Sequence, residues 1–257
     1  MLYKKLRYPD GGIYAQIESF EGKTIIERIN SYEDLFFIKS LKDICDYNGI
    51  KDVELVIPCM FQQQHDRRFN KNESFELKLV ADFINTCNFS KVHIFHPHSD
   101  STEMAINNFH LIDNSYFISE VIKDINDSNP PIILSTDAGS FKWINKLADK
   151  IDYQGEVYGA NKSRDQQTHK LKQIIDRQDF EGKDVLVLDD LCVGGGTFIG
   201  LANMLKERNV GNLYLAVSHI TIENPRKELE SLYTKIWSTN SKYENYNLNN
   251  IKIIKQF

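Results

Sequence analysis

Short apolar runs rich in β-branched residues recur along this chain: VELVIP (53–58), KVHIFH (91–96), PIILST (131–136), GEVYGA (155–160), DVLVLDD (184–190) and NLYLAVSHI (212–220). Such runs suit strands buried on both faces of a parallel sheet. Between them lie SYEDLFFIKSLKDICDYNG, ESFELKLVADFINTCN, SFKWINKLADKI and TFIGLANMLKERNVG, each with apolar residues at helical spacing. The first and last of these end in an Asn-Gly or Val-Gly that can cap a helix. Strand and helix alternating this often predict an α/β fold with a mainly parallel sheet flanked by helices.

The 257 residues suffice for two ordinary domains or one large one. The polar segment DINDSNPP (124–131) is the expected boundary, giving an N-terminal half over 1–122 and a C-terminal half over 123–257. Hydrophobic residues make up 41% and charged residues 26%, the balance of a globular protein. A net charge of -5 argues against nucleic acid and membrane surfaces as partners. Cys45, Cys59, Cys87 and Cys192 show neither a CxxC pair nor a zinc spacing, so they read as buried thiols in a reducing compartment. With no signal-type N-terminus and no apolar run of membrane-spanning length, the expectation is a soluble cytoplasmic protein.

The stretch VLVLDDLCVGGGT (185–197) concentrates the chemistry. In an open α/β sheet, ligands bind beyond the carboxyl ends of strands. There the glycines expose backbone N–H groups to an oxyanion, and a helix starting near Thr197 aims its positive end at the same spot. The stretch has neither the Walker pattern nor dinucleotide glycine spacing. Asp189 and Asp190 would repel a phosphate unless they face sugar hydroxyls or a magnesium ion. A ribose phosphate meets both demands, the alternative being a plain glycine-rich turn beside two solvated acids.

This stretch resembles the phosphoribosyl-diphosphate (PRPP) loop of the type I phosphoribosyltransferase fold. Over nearly its whole length the chain is similar to the ribose-phosphate diphosphokinase, or PRPP synthetase, family. RYPDGGIYAQIES (7–19) resembles the family's flag segment, and VIPCMFQQQHDRRFNKNESFELKLVADFIN (56–85) its nucleotide loop and following helix. HPHSD (96–100) falls at the metal-binding histidine motif, STDAGSFKW (135–143) at the Asp-Ala-Gly motif, and NKSR (161–164) at a mobile catalytic loop.

The resemblance implies two phosphoribosyltransferase-like domains and transfer of the β,γ-diphosphate of Mg-ATP to the anomeric hydroxyl of a ribose 5-phosphate moiety, releasing AMP. In such a reaction the protein mainly aligns and neutralises charged reactants. Lys162 and Arg164, two residues apart in a polar stretch, are the implied catalytic cations, reaching one site from a loop. Tyr8, Asp10, Gln64, His65, Asp66, Arg67 and His98 are implied in ATP binding. His98, Asp137 and His96 are implied around Mg2+. Asp137, Asp189 and Asp190 are implied at the ribose, with Cys192, Val193, Gly194, Gly195, Gly196 and Thr197 around the 5'-phosphate. A homodimer or higher homo-oligomer is implied, the short N-terminus bearing on a hexamer more than on a dimer.

The chain departs from the family at several positions. Gln64 and His65 stand where Arg-Gln is usual, leaving Arg67 or Arg68 to replace the arginine. Gly12 stands for a glutamate, His96 for an aspartate, and Gly194 for the Ser/Thr that opens the phosphate loop. The last loss removes a hydroxyl donor and opens room beside the phosphate, so ADP-ribose is an alternative acceptor, giving an activated ADP-ribose for NAD synthesis. Two further alternatives are a phosphoribosyltransferase acting without ATP and a non-catalytic regulatory homologue. The 56–85 segment speaks against the first, and the retained Lys162, Arg164, His98, Asp137, Asp189 and Asp190 against the second.

Overall fold

The computed structural model describes residues 1–125, 129–164, 171–175 and 177–257, with backbone alone at 161–164 and 171–174. Its packing divides the chain into two compact units, Met1–Asp113 together with Phe257, and Asn114–Gln256.

The first unit opens with an antiparallel hairpin, β1 (Leu2–Arg7) and β2 (Ile13–Ser19). Its turn closes through Tyr8 N–H to the Gly12 carbonyl at 2.8 Å, with Gly11 at φ +93°. A parallel sheet follows in the order β3 (Thr24–Ile26), β4 (Glu54–Ile57), β5 (Lys91–Phe95) and β6 (Phe109–Ile112). Helices α1 (Tyr32–Tyr47), α2 (Glu76–Asn85) and α3 (Asp100–Ala105) connect these strands. Helix α1 starts at a capping box, with the Ser31 hydroxyl accepting from Asp34 N–H and the Asp34 carboxylate accepting from Ser31 N–H. It stops at Asn48, followed by Gly49 at φ +70°. Leu35, Ile38 and Leu41 from α1 meet Leu77, Val80 and Ile84 from α2 over Leu55, Ile57, Val92 and Ile94 of the sheet, forming one core.

The second unit runs α4 (Ser115–Ile125), β7 (Ile132–Ser135), α5 (Ala138–Lys150), β8 (Val157–Gly159), β9 (Asn161–Arg164), β10 (Leu171–Ile174), β11 (Val185–Cys192), α6 (Gly196–Lys206), β12 (Leu213–Ile220), α7 (Glu228–Leu232), β13 (Lys235–Thr239) and β14 (Ile251–Ile254). Its six-stranded sheet is ordered β14-β13-β12-β11-β7-β8, with every pairing parallel. Strand β11 lies at the centre, and Val185, Leu186, Val187 and Leu188 are all fully buried. Val185 and Val187 enter one core, Leu186 and Leu188 another on the opposite face, as the continuous apolar run predicts.

Three expectations are corrected. The division precedes α4 rather than following residue 122, because Phe117, Ile118 and Val121 pack with Ile133, Leu186 and Trp237. Helix α6 ends at Lys206 with Glu207 as its cap, ahead of Val210-Gly211, and Asn209 takes a left-handed φ of +54°. NKSR, expected in a loop, forms β9, which pairs antiparallel with β10. Among the described residues, no helix is long and apolar enough to cross a membrane. All four cysteines are buried, and none forms a disulfide among the described residues.

Candidate active site

Strand β11 carries both acids, and it continues two residues further than the sequence suggests. Cys192 pairs with Ile220 in the ladder, and its carbonyl accepts from Thr221 N–H at 2.9 Å. Cys192 is therefore a strand residue whose carbonyl is committed to the sheet, and burial pushes its thiol up to about 12. The loop proper is Val193, Gly194 and Gly195, with α6 starting at Gly196. Gly195, at φ +76°, is the N-cap and has no side chain to occupy the first-turn N–H groups. Those donors, with the helix dipole behind them, form an anion cradle. A Cβ at Gly194 or Gly196 would meet nothing within 4 Å, so the cradle is open on that side. Thr197 is half-buried in the first turn.

Beside this cradle, the two acids differ. Asp190 is buried at 7% exposure, whereas Asp189 is half-buried. One Asp189 oxygen, Oδ1, accepts from Asp190 N–H at 2.9 Å, and Oδ2 accepts from Thr136 Oγ1 at 2.5 Å. Desolvation, then the adjacent Asp190 charge, raises Asp189 well above the usual carboxylate range, and the Thr136 hydroxyl opposes that rise.

Asp137 is the N-cap of α5. Its Oδ1 accepts from Ser140 N–H at 2.9 Å, and Ser140 Oγ accepts from Asp137 N–H at 3.1 Å. Thus one oxygen of this expected metal ligand holds a helix end. Among the described residues, no group of three or more His, Cys, Asp or Glu side chains is placed to hold a metal ion. The oxygen donors present suit Mg2+ better than the histidine nitrogens do, and they suit an ion bound chiefly through substrate oxygens and water.

In the first unit, Tyr8 stacks on Tyr14 with centroids 4.6 Å apart, and Tyr8 remains 56% exposed, leaving an aromatic surface at the hairpin tip. Asp10 instead turns inward to accept from Gly12 N–H at 2.9 Å. A Cβ at Gly12 would lie 3.3 Å from Asp10 Oδ1, so the missing glutamate leaves this turn tighter. In the segment after β4, Gln64 and His65 are exposed and Asp66 is half-buried. Arg68 donates to the Glu73 carbonyl at 2.6 Å, while the Arg67 guanidinium lies 5.2 Å from the Phe69 ring centroid. The Arg67 Nε also lies 3.9 Å from Asp66 Oδ1, so both arginines have partners within this segment. His98 is held by its backbone, since its N–H donates to Gln63 Oε1 at 3.1 Å. His96 sits at φ +37° at the end of β5, its N–H donating to the Ile112 carbonyl at 2.9 Å.

Lys162 and Arg164 have their backbone on β9, and their side chains fall outside the described residues. Sequence reasoning missed Thr136 and Gln63. Neither had a signal beyond its place inside a recognised motif.

The profile of the phosphoribosyl transferase domain matches residues 109–249, more than half of the chain. The chain belongs to the phosphoribosyl transferase domain family. Within that family it is similar to the ribose-phosphate pyrophosphokinase of Methanobrevibacter smithii, 25% identical over 239 residues, covering 85% of this chain and 77% of that one. The corresponding protein of Corynebacterium efficiens is 23% identical over 237 residues, covering 86% and 70%. The phosphoribosylpyrophosphate synthetase of Mycobacterium smegmatis shares the fold, with a TM-score of 0.82 at 16% identity over 99% of this chain and 86% of that one. The expected α/β architecture, with parallel sheets flanked by helices, is what the family member adopts here.

Proposed function

We propose that this phosphoribosyl transferase family protein is an ATP-dependent diphosphotransferase that makes phosphoribosyl diphosphate and AMP from ATP and ribose 5-phosphate. The observation that carries this reading is the Gly195-capped anion cradle directly after the β11 acid pair. Its resemblance to chains named ribose-phosphate pyrophosphokinase over most of their length supports the choice of reaction.

The acceptor's 5'-phosphate sits in the N–H groups of Gly196 and Thr197, the Gly195 N–H being turned to the Cys192 sulfur, while Asp189 and Asp190 accept from its ribose hydroxyls. The anomeric oxygen attacks the β-phosphorus of ATP. A bond forms between them, the bond from that phosphorus to the α,β-bridging oxygen breaks, and AMP leaves as the hydroxyl proton passes to water. Asp137 is the carboxylate assigned to Mg2+ in the second unit, and His98 and His96 are assigned to it from their own motif in the first; the ion would supply charge neutralisation on the transferred diphosphate. Tyr8 offers its exposed ring to the adenine, and Asp10 holds the turn beneath it. Gln64, His65, Asp66 and Arg67 are assigned to the ATP side. Lys162 and Arg164 are assigned to the charge that develops in transfer. The buried thiols, outside any disulfide among the described residues, support a reducing cytoplasmic setting, and we extend the family resemblance to a homodimer or larger homo-oligomer.

Incubation with Mg-ATP and ribose 5-phosphate is expected to release AMP and a new diphosphate detectable by mass. ADP as the dominant product refutes the mechanism. Lys162→Ala and Arg164→Ala are each expected to lower kcat by about 100-fold or more, with the acceptor's KM nearly unchanged.

The open space at Gly194 favours a second acceptor reading, ADP-ribose, whose 5'-phosphate continues into AMP. Competition of the two acceptors at equal, sub-saturating concentration measures the ratio of their specificity constants. Inert ADP-ribose excludes this reading, and a shift of Gly194→Thr towards ribose 5-phosphate supports it.

A further inference from the structure

We propose that Thr136 is a positioning residue that sets the Asp189 carboxylate for the acceptor's ribose hydroxyls, an inference that rests on the diphosphotransfer reading. The parallel ladder between β7 and β11 closes at Ser135 opposite Leu188. The next residue on each strand is therefore Thr136 and Asp189. Thr136 is fully buried, and its Oγ1 donates to Asp189 Oδ2 at 2.5 Å. On the other oxygen, Asp190 N–H donates to Oδ1 at 2.9 Å. One donor on each oxygen fixes the plane of the carboxylate, and the Asp190 side chain is hydrogen-bonded beside it. Asp189 as a whole residue is half-buried.

Behind Thr136 lies the start of α5: its Oγ1 is 3.5 Å from Ser140 Oγ, the hydroxyl that accepts from Asp137 N–H at 3.1 Å and donates to the Asp137 carboxylate at 3.1 Å. With both hydroxyl protons so placed, the Thr136–Ser140 contact is packing, and the hydrogen bond Thr136 makes is the one to Asp189. A buried carboxylate beside another acid tends towards its neutral form, in which it accepts less strongly, and a hydroxyl donor favours the charged form. Thr136 therefore sets both the orientation of Asp189 and its strength as an acceptor.

Thr136→Val keeps the shape and removes the hydroxyl, and Thr136→Ser restores it. The experiment measures kcat and both KM values, with calorimetric binding of ribose 5-phosphate in the absence of ATP. Thr136→Val is expected to weaken ribose 5-phosphate binding and raise its KM by about tenfold or more, the usual loss for a hydrogen bond to a charged group. The KM for ATP stays within about twofold, and Thr136→Ser recovers most of the acceptor binding. Wild-type acceptor binding in Thr136→Val, or equal losses for ATP and acceptor, overturns the proposal. So does a Thr136→Ser variant as weak as Thr136→Val. If Thr136→Val does not fold, Thr136→Ala provides the same comparison. A wild type that binds ribose 5-phosphate but releases no AMP refutes diphosphotransfer alone, and loss of that binding in Thr136→Val then still supports the positioning role. A wild type that binds no ribose 5-phosphate overturns both.

Discussion

Asp124, near the end of α4, collects three donors: Lys235 Nζ at 2.6 Å, the Trp237 indole N–H at 2.8 Å, and Lys252 Nζ. These donors outweigh the desolvation they oppose and hold the carboxyl far below its usual range. The lysines are partly exposed and contribute little each. Trp237 is fully buried, so removing its acceptor strands an indole N–H. Asp124→Ala is expected to cost about 1–3 kcal/mol in urea unfolding, and Asp124→Asn, which still accepts from the indole, less. Because the folded-state pKa is depressed, this stabilisation is present above the unfolded carboxylate value of about 4 and is lost as pH falls below it. Wild-type stability should therefore decline through that acidic window more steeply than that of Asp124→Asn. The pairing was not legible in the sequence, since three residues more than a hundred positions from Asp124 supply it. The same holds for Thr136 and Gln63, whose partners lie on other strands and loops. Asp189, Asp190 and the glycines were legible because their chemistry resides in residue type and adjacency.

At the scale of elements, the turn from β11 into α6 separates two glycines that look alike in sequence. Gly195 has φ +76°, and a Cβ there would press to 3.1 Å on Leu229 Cδ1 of α7. Gly194 has open space around it. Gly195→Ala is expected to destabilise by about 1–2 kcal/mol, a left-handed side-chain cost with added crowding. Ribose 5-phosphate affinity should fall with it, whereas Gly194→Ala should leave the melting temperature nearly unchanged. Thermal unfolding and calorimetry on both variants check this. The apolar strands β7, β11 and β12 were legible because burial on both faces writes a continuous run; β4 and β5, expected to be buried on both faces, instead alternate, with Leu55, Ile57, Val92 and Ile94 buried and Val56 and His93 only half-buried. Strand β13 hides within KIWST, where Ser238 and Thr239 are fully buried polar residues. Strand β9 hides because Asn161, Lys162, Ser163 and Arg164 are all polar, and only pairing with β10 makes them a strand.

At the scale of the whole molecule, the division at Asp113/Asn114 assigns α4 to the second unit, although α4 precedes the polar segment that reads as a linker. A fragment beginning at Asn114 retains Phe117, Ile118 and Val121, whereas one beginning at residue 123 bares the apolar surface they cover. The longer fragment is expected to give well-dispersed amide NMR signals, and the shorter to bind a hydrophobic dye and aggregate. The parallel ladder that joins β7 to β11 pairs Ile132 with Val185 and Ser135 with Leu188, so the centre of the sheet closes only across a long intervening segment. Contacts so distant along the chain require ordering entropy to be spent before any pairing rewards it. The acid pair and its cradle, being built on that central strand, are therefore among the last features a newly made chain acquires, and recovery of acceptor binding after dilution from denaturant should lag behind the return of helical circular dichroism.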